Sequence, residues 1–181
     1  MTDINSSKPF SGGPNRPRPR TGKSGGNPLF LREEELRQAI EMLFFAYRDF
    51  TGEPDKILAE RGLGRAHHRV IYFVGRYPGM TVSSLLDILK ITKQSLSRVL
   101  SQLVQEGYIS QEQGSVDRRQ RLLTLTEQGH EMERLLTETQ RKRIARAYRA
   151  AGPEAVEGFR AVMLGIMSSD DDRDRFEDRP E

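Results

Sequence analysis

The sequence predicts a mainly helical α+β fold with one small β-hairpin, and three observations carry that prediction. Apolar residues recur at helical spacing through most of residues 29–167. Two short helical patterns separated by a two-residue turn occupy the centre, over residues 80–107. Two short alternating runs, 108–113 and 121–126, follow at once and are joined by a polar loop.

Residues 1–27 are rich in Gly, Pro, Ser and Arg and lack the bulky apolar groups that would offset ordering entropy, so a disordered basic tail is expected there. Residues 29–50 read as a helix with acids early, where the helix dipole favours them. Leu36, Ile40, Leu43 and Tyr47 mark one stripe, and Met42, Phe44, Phe45 and Phe50 widen it. A helix apolar over so much of its girth packs on more than one side, and one of those sides is read as a partner subunit. A second helix covers 64–77 and ends at the Pro-Gly of "YPGM". After the centre, 127–148 reads as a long helix, stopped by "AGP" with Pro153 in the first turn of the next. That last helix, 153–167, carries Val156, Phe159, Val162, Met163, Ile166 and Met167 on an amphipathic face. Leu36, Ile40, Phe44, Val156, Phe159 and Met163 are the candidate dimerisation residues. An acidic, disordered tail is expected over 169–181.

Within the central pair, Thr81 and Thr92 are candidate N-caps. Val82, Leu85, Leu86 and Leu89 form the apolar face of the first helix. Leu96, Val99, Leu100, Leu103 and Val104 form that of the second, and Gly107 is its C′ residue. Opposite the second stripe lie Gln94, Arg98, Ser101 and Gln105, flanked by Ser95, Ser97 and Gln102. This face is nearly free of carboxylates and rich in groups that suit base edges and phosphates, whereas a merely solvated helix more often mixes Glu with Lys. Ser83, Lys90, Thr92, Lys93, Gln94, Ser95 and Arg98 are therefore candidate contacts to double-stranded DNA.

A hairpin directly after such a helix is a wing. Arg118, Arg119 and Arg121 near its tip would meet the DNA backbone or the narrow minor groove, while Asp117 would hold a neighbouring guanidinium in one rotamer. Charge agrees with this division. Residues 63–126 hold nine Lys/Arg against four Asp/Glu, although the whole chain carries only +3. The last twelve residues hold seven acids and three arginines. A basic centre between less basic supports fits a polyanion.

At these motifs the chain resembles the MarR family of dimeric winged helix-turn-helix regulators. The wing matches the family's Asp-x-Arg signature and the Leu-x-Leu-Thr-x-x-Gly run, here Asp117, Arg119, Leu123, Leu125, Thr126 and Gly129. "ITKQSLSRVLSQLVQEGYI" looks like its recognition helix, with Thr92, Gln94, Ser95 and Arg98 at DNA-contacting positions. The resemblance implies a homodimer with interlocked terminal helices that reads a palindromic operator. It also implies, for many members, release of DNA by a small-molecule effector. Lys90 departs from the pattern, standing in the turn where many members have Gly. The absence of cysteine excludes the peroxide-sensing branch.

The implied division is a dimerisation region at 28–62, a winged helix-turn-helix DNA-binding domain at 63–126 and dimerisation helices at 127–168. The competing class, an enzyme, finds no phosphate loop, nucleophile elbow or His-Glu-x-x-His run, and no cofactor or metal is expected. His67 and His68 are adjacent, so on a helix they point about 100° apart and cannot jointly face one ligand. They read as packing or surface residues, with an effector pocket beside Tyr47, Tyr72 and Phe73 as the alternative. A winged helix used only for protein contacts would expose apolar or acidic groups on its outer face, unlike this one. No window approaches the ~18 consecutive apolar residues of a membrane span, and the N-terminus lacks a secretory apolar core, so a cytoplasmic location is expected.

Overall fold

The computed structural model describes residues 28–114 and 119–177, in two compact units whose boundary, between Glu41 and Met42, falls inside the first long helix. The first unit holds a 3-10 turn, Leu29–Leu31, and the start of helix α1 (Glu33–Ala59). Glu33, Glu34 and Glu35 fill the first turn of α1, where its dipole favours acids.

The second unit holds the rest of α1 and the remaining elements. These are α2 (Arg65–Arg76), β1 (Met80–Thr81), α3 (Val82–Leu89), α4 (Lys93–Gln105), β2 (Ile109–Gln113), β3 (Arg121–Leu125), α5 (Glu127–Ala151), α6 (Pro153–Ile166) and α7 (Asp170–Glu177). The strands form an antiparallel sheet of order β1-β3-β2, with Ile109 opposite Leu125, Gln113 opposite Arg121 and Met80 opposite Leu123. β1 is not among the predicted elements, because two residues are too few to show an alternation. Thr126, predicted to end the second strand, is instead the N-cap of α5.

The core draws one apolar face from each surrounding element. Val70, Ile71 and Val74 of α2 meet Leu85 of α3, Leu96 and Leu103 of α4, Leu123 of β3 and Leu136 of α5, all fully buried. Helix α2 is the hub and packs on α3, α4, α5 and β3. Gly75 of α2 faces Leu125 so closely that an added Cβ would lie 2.8 Å from its Cδ1.

Helix α1 runs past the expected end at residue 50 and through Pro54. Proline has no N–H, so the Phe50 carbonyl loses its partner four residues on. The buried Gln140 of α5 supplies a substitute, its Nε2 donating to Phe50 O at 3.4 Å. Thr51 Oγ1 donates to Tyr47 O at 3.0 Å and supports the same turn. The helix therefore continues through a residue that would ordinarily end it, because a distant side chain meets the orphaned carbonyl.

The acidic tail expected over 169–181 is corrected in part: residues 170–177 are helical rather than disordered, while 178–181, like the basic tail expected over 1–27, lie outside the described residues. Asp170, Asp171 and Asp172 occupy the first turn of α7. Arg173 reaches back to donate to Leu164 O and Met167 O, and pairs with Asp170 at 2.6 Å. Charge density had suggested disorder, but these acids sit where a helix dipole accepts them.

Gln140→Leu should lower unfolding stability by about 1–2 kcal/mol, the cost of an unmet carbonyl, in urea denaturation. In a Pro54→Ala background residue 54 regains an N–H for Phe50 O, and the loss should shrink. An equal loss in both backgrounds would refute the assignment.

Candidate nucleic-acid interface

Two threonine caps build the central pair. Thr81 Oγ1 accepts from Ser84 N at 3.1 Å and starts α3, and Thr92 Oγ1 accepts from Ser95 N at 3.2 Å and starts α4. Thr92 also donates to Ser95 Oγ at 2.9 Å. Its hydroxyl is thus committed to the cap, while Ser95 keeps a proton to donate outward. Between the helices, Lys90 adopts the left-handed conformation (φ 50°, ψ 39°), and its N–H closes α3 on Leu86 O. It is the one non-glycine residue with positive φ among the described residues, at a cost of about 1–2 kcal/mol relative to ordinary backbone.

Ser83, Lys90, Thr92, Lys93, Gln94, Ser95 and Arg98 are all exposed, as are Ser97, Ser101 and Gln105. On the other side of α4, Leu96, Leu100 and Leu103 are buried. No Asp or Glu lies within α4. Gln102 departs from the sequence reading: it is half-buried and bonded to neighbouring side chains instead of joining the open face.

In the wing, β2 and β3 pair out to Gln113 and Arg121, and Gly114 N donates to Gln120 O just beyond. Residues two apart share a strand face, so Arg121 continues the line of buried Leu123 and Leu125 past the end of the core. Arg119 and Arg121 are exposed. Asp117 and Arg118 lie outside the described residues. The root of the wing is clamped. Thr126 Oγ1 donates to Gly107 O at 2.6 Å and accepts from Gly129 N at 3.0 Å, and Thr126 N donates to Tyr108 O at 3.1 Å. A Cβ at Gly129 would stand 2.0 Å from Tyr108 O, so only glycine fits.

A cavity of about 570 Å³ opens between α1, α2 and α5 within the second unit. Tyr47, Phe50, Tyr72, Phe73 and Tyr148 form its aromatic walls, and Arg65, His68, Arg69 and Gln140 its polar ones. Of the two adjacent histidines, His68 faces this cavity and His67 turns toward α4. Arg65 pairs with Asp55 at 2.7 Å, which raises the guanidinium pKa further, and Arg69 donates to the Tyr47 hydroxyl at 3.2 Å. Burial lowers the pKa of His68 below its ordinary value. Asp55 and Glu133 oppose that shift, while Arg69 reinforces it. Aromatic density had hinted at the cavity; Gln140 and the α5 wall had no signal in the sequence, since they arrive from ninety residues away.

Two capped helices joined by a tight turn, followed by a hairpin clamped to the end of the second, define a winged helix-turn-helix protein. Residues 61–120 match the MarR family model. The chain is 53% identical over 148 residues to the HTH-type transcriptional regulator PetP of Rhodobacter capsulatus, covering 81% of this chain and 89% of that protein. Solved structures share the fold at lower identity. Streptococcus pneumoniae FabT in complex with DNA has a TM-score of 0.64 at 19% identity, over 72% of this chain and 94% of that one. A putative MarR-family regulator of Listeria monocytogenes complexed with 26mer DNA has a TM-score of 0.61 at 19% identity, over 70% and 85%. The chain belongs to the MarR family and is a helix-turn-helix transcriptional regulator, a class of regulators rather than enzymes. No helix among the described residues is long and apolar enough to cross a membrane.

The lowered His68 pKa fixes the sign of a pH effect. In the window below the ordinary value of 6.5 the unfolded chain takes up a proton that the folded chain resists. His68 therefore imposes no penalty above that value, and stability falls as pH drops through the window toward the folded pKa. Urea denaturation across about pH 7.5 to 5 should show a shallower decline for His68→Leu than for the parent. Parallel curves would remove His68 as the source.

Proposed function

We propose that the chain is a homodimeric, sequence-specific DNA-binding repressor of a palindromic operator, released by a small molecule in the cavity between α1, α2 and α5. The observation that carries the DNA-binding reading is the exposed face of α4, with Gln94, Ser95 and Arg98 in the open and no carboxylate along the helix. FabT and the Listeria regulator, solved with DNA, share the fold and support this reading.

In the proposed complex α4 enters the major groove, where Arg98 and Gln94 read base edges and Ser95 donates outward. Ser83, Lys90 and Lys93 take phosphates around the groove. The wing, with Arg118, Arg119 and Arg121 steered by Asp117, lies against the adjacent minor groove. Two such lobes place half-sites about 10 bp, or a multiple, apart.

Dimerisation accounts for an otherwise costly surface. Leu36, Ile40, Phe44 and Phe159 are 47%, 68%, 62% and 46% exposed, with Val156 and Met163 half-buried in α6. Residues 28–62 and 127–168 are accordingly proposed as dimerisation regions around a DNA-binding domain at 63–126. The cavity, aromatic with the guanidiniums of Arg65, Arg69 and Arg141 and with His68 in its lining, suits a small effector.

Selection of bound sequences from a random duplex pool tests the reading, with a palindromic motif expected and an unenriched pool refuting it. On the selected operator, Arg98→Ala should cost about 1–3 kcal/mol, and an equal loss on random DNA would show that Arg98 reads no sequence. Lys90→Gly should relieve the left-handed strain and raise the melting temperature. The same change should weaken binding and flatten the salt slope by about one phosphate contact; an unchanged slope would remove Lys90 from the interface.

A further inference from the structure

The geometry points to His67 as a positioning residue for DNA reading, which holds the angle of α4 through Gln102; this rests on the proposal that α4 reads DNA. Helix α2 begins at Gly64, which has no side chain to cap it. The cap comes from His67, whose Nδ1 accepts the Gly64 N–H at 3.0 Å. A ring nitrogen that accepts a hydrogen bond carries no hydrogen of its own, which leaves Nε2 as the ring's donor. That Nε2–H faces Gln102 Oε1 of α4 at 2.9 Å. With its oxygen so engaged, the Gln102 amide turns its NH₂ to Glu106 Oε1, at 2.8 Å. Three hydrogen bonds thus run from the first turn of α2 to the C-cap of α4, and each sets the orientation of the next.

Apolar packing does not supply this control. Leu96, Leu100 and Leu103 hold α4 against the core, but such contacts are non-directional. A hydrogen bond is directional, and among the described residues His67–Gln102 is the side-chain hydrogen bond that joins α4 to α2. Gln102 stands four residues after Arg98, one turn along the same side of the helix. A rotation of α4 by about 10° moves a side chain some 6 Å from its axis by about 1 Å. That exceeds the ~0.5 Å within which a reading group must be held.

The arrangement also connects the cavity to the reading helix. Arg65, His68, Arg69 and Tyr72 of α2 line the cavity, and His67, in the same turns, bonds α4. A molecule that displaces the first turns of α2 acts directly on this tie.

The test uses the full-length dimer, the selected operator and a double-mutant cycle. His67→Asn keeps an oxygen for the Gly64 N–H but cannot reach Gln102, so it separates helix capping from the tie. Gln102→Leu removes the acceptor. Each single change should weaken operator binding about fivefold, the worth of one ordinary hydrogen bond. The double variant should be no weaker than the poorer single. Binding to random DNA and the salt slope of His67→Asn should stay at parent values, because no phosphate contact is lost. Additive losses would mean that Gln102 touches DNA by itself, and unchanged operator affinity in His67→Asn would mean that the tie sets nothing; either overturns the inference. A parent protein that enriches no duplex overturns the DNA-reading proposal itself, and the inference with it.

Discussion

The arrangement depends most on the hydroxyl of Thr126. It accepts from Gly129 N to start α5, and donates to Gly107 O at the end of α4, while the Thr126 backbone N–H takes Tyr108 O at the root of β2. One residue thereby fastens α4, the wing and the long helix α5 at a single point. The closeness that makes this possible also explains Gly129: any side chain there would collide with the Tyr108 carbonyl. Because a backbone carbonyl cannot move aside as a flexible side chain can, the glycine is required by sterics and not by backbone conformation.

Helix α2 has a comparable role on the other side of the core. Val70, Ile71 and Val74 anchor it centrally, its cavity face carries Arg65, His68, Arg69 and Tyr72, and His67 turns to α4. The cavity and helix α4 thus lie on different sides of the same few turns of α2.

Two features of the α3–α4 segment forgo local stabilisation, and the pattern is physically consistent. Lys90 bears left-handed strain at a turn where glycine would relax. The open face of α4 dispenses with the acid–base pairs that decorate other helices of the chain, such as Glu33 with Arg37 or Glu138 with Lys142. Exposed ion pairs contribute little, so their omission from α4 costs little, and a face without carboxylates repels no phosphate.

Much of this was legible in the amino-acid order. The two threonine caps, the turn at Lys90, the positive-φ Gly107 and the pairing of the wing all follow from local chemistry, in which neighbours a few residues apart decide the outcome. The separation of buried leucines from outward donors on α4 is likewise a matter of helical period. What could not be read locally is whatever a distant partner decides. The first helix looks finished at residue 50, but it runs on through Pro54 with Gln140 meeting the Phe50 carbonyl, and Gln102 looks like an outward donor until His67 claims it. Residues 170–177 look unfolded until Arg173 ties α7 back to Leu164 and Met167 at the end of α6. Periodicity records which face of an element is apolar; only the packed chain settles which polar group on another element lies within hydrogen-bonding reach.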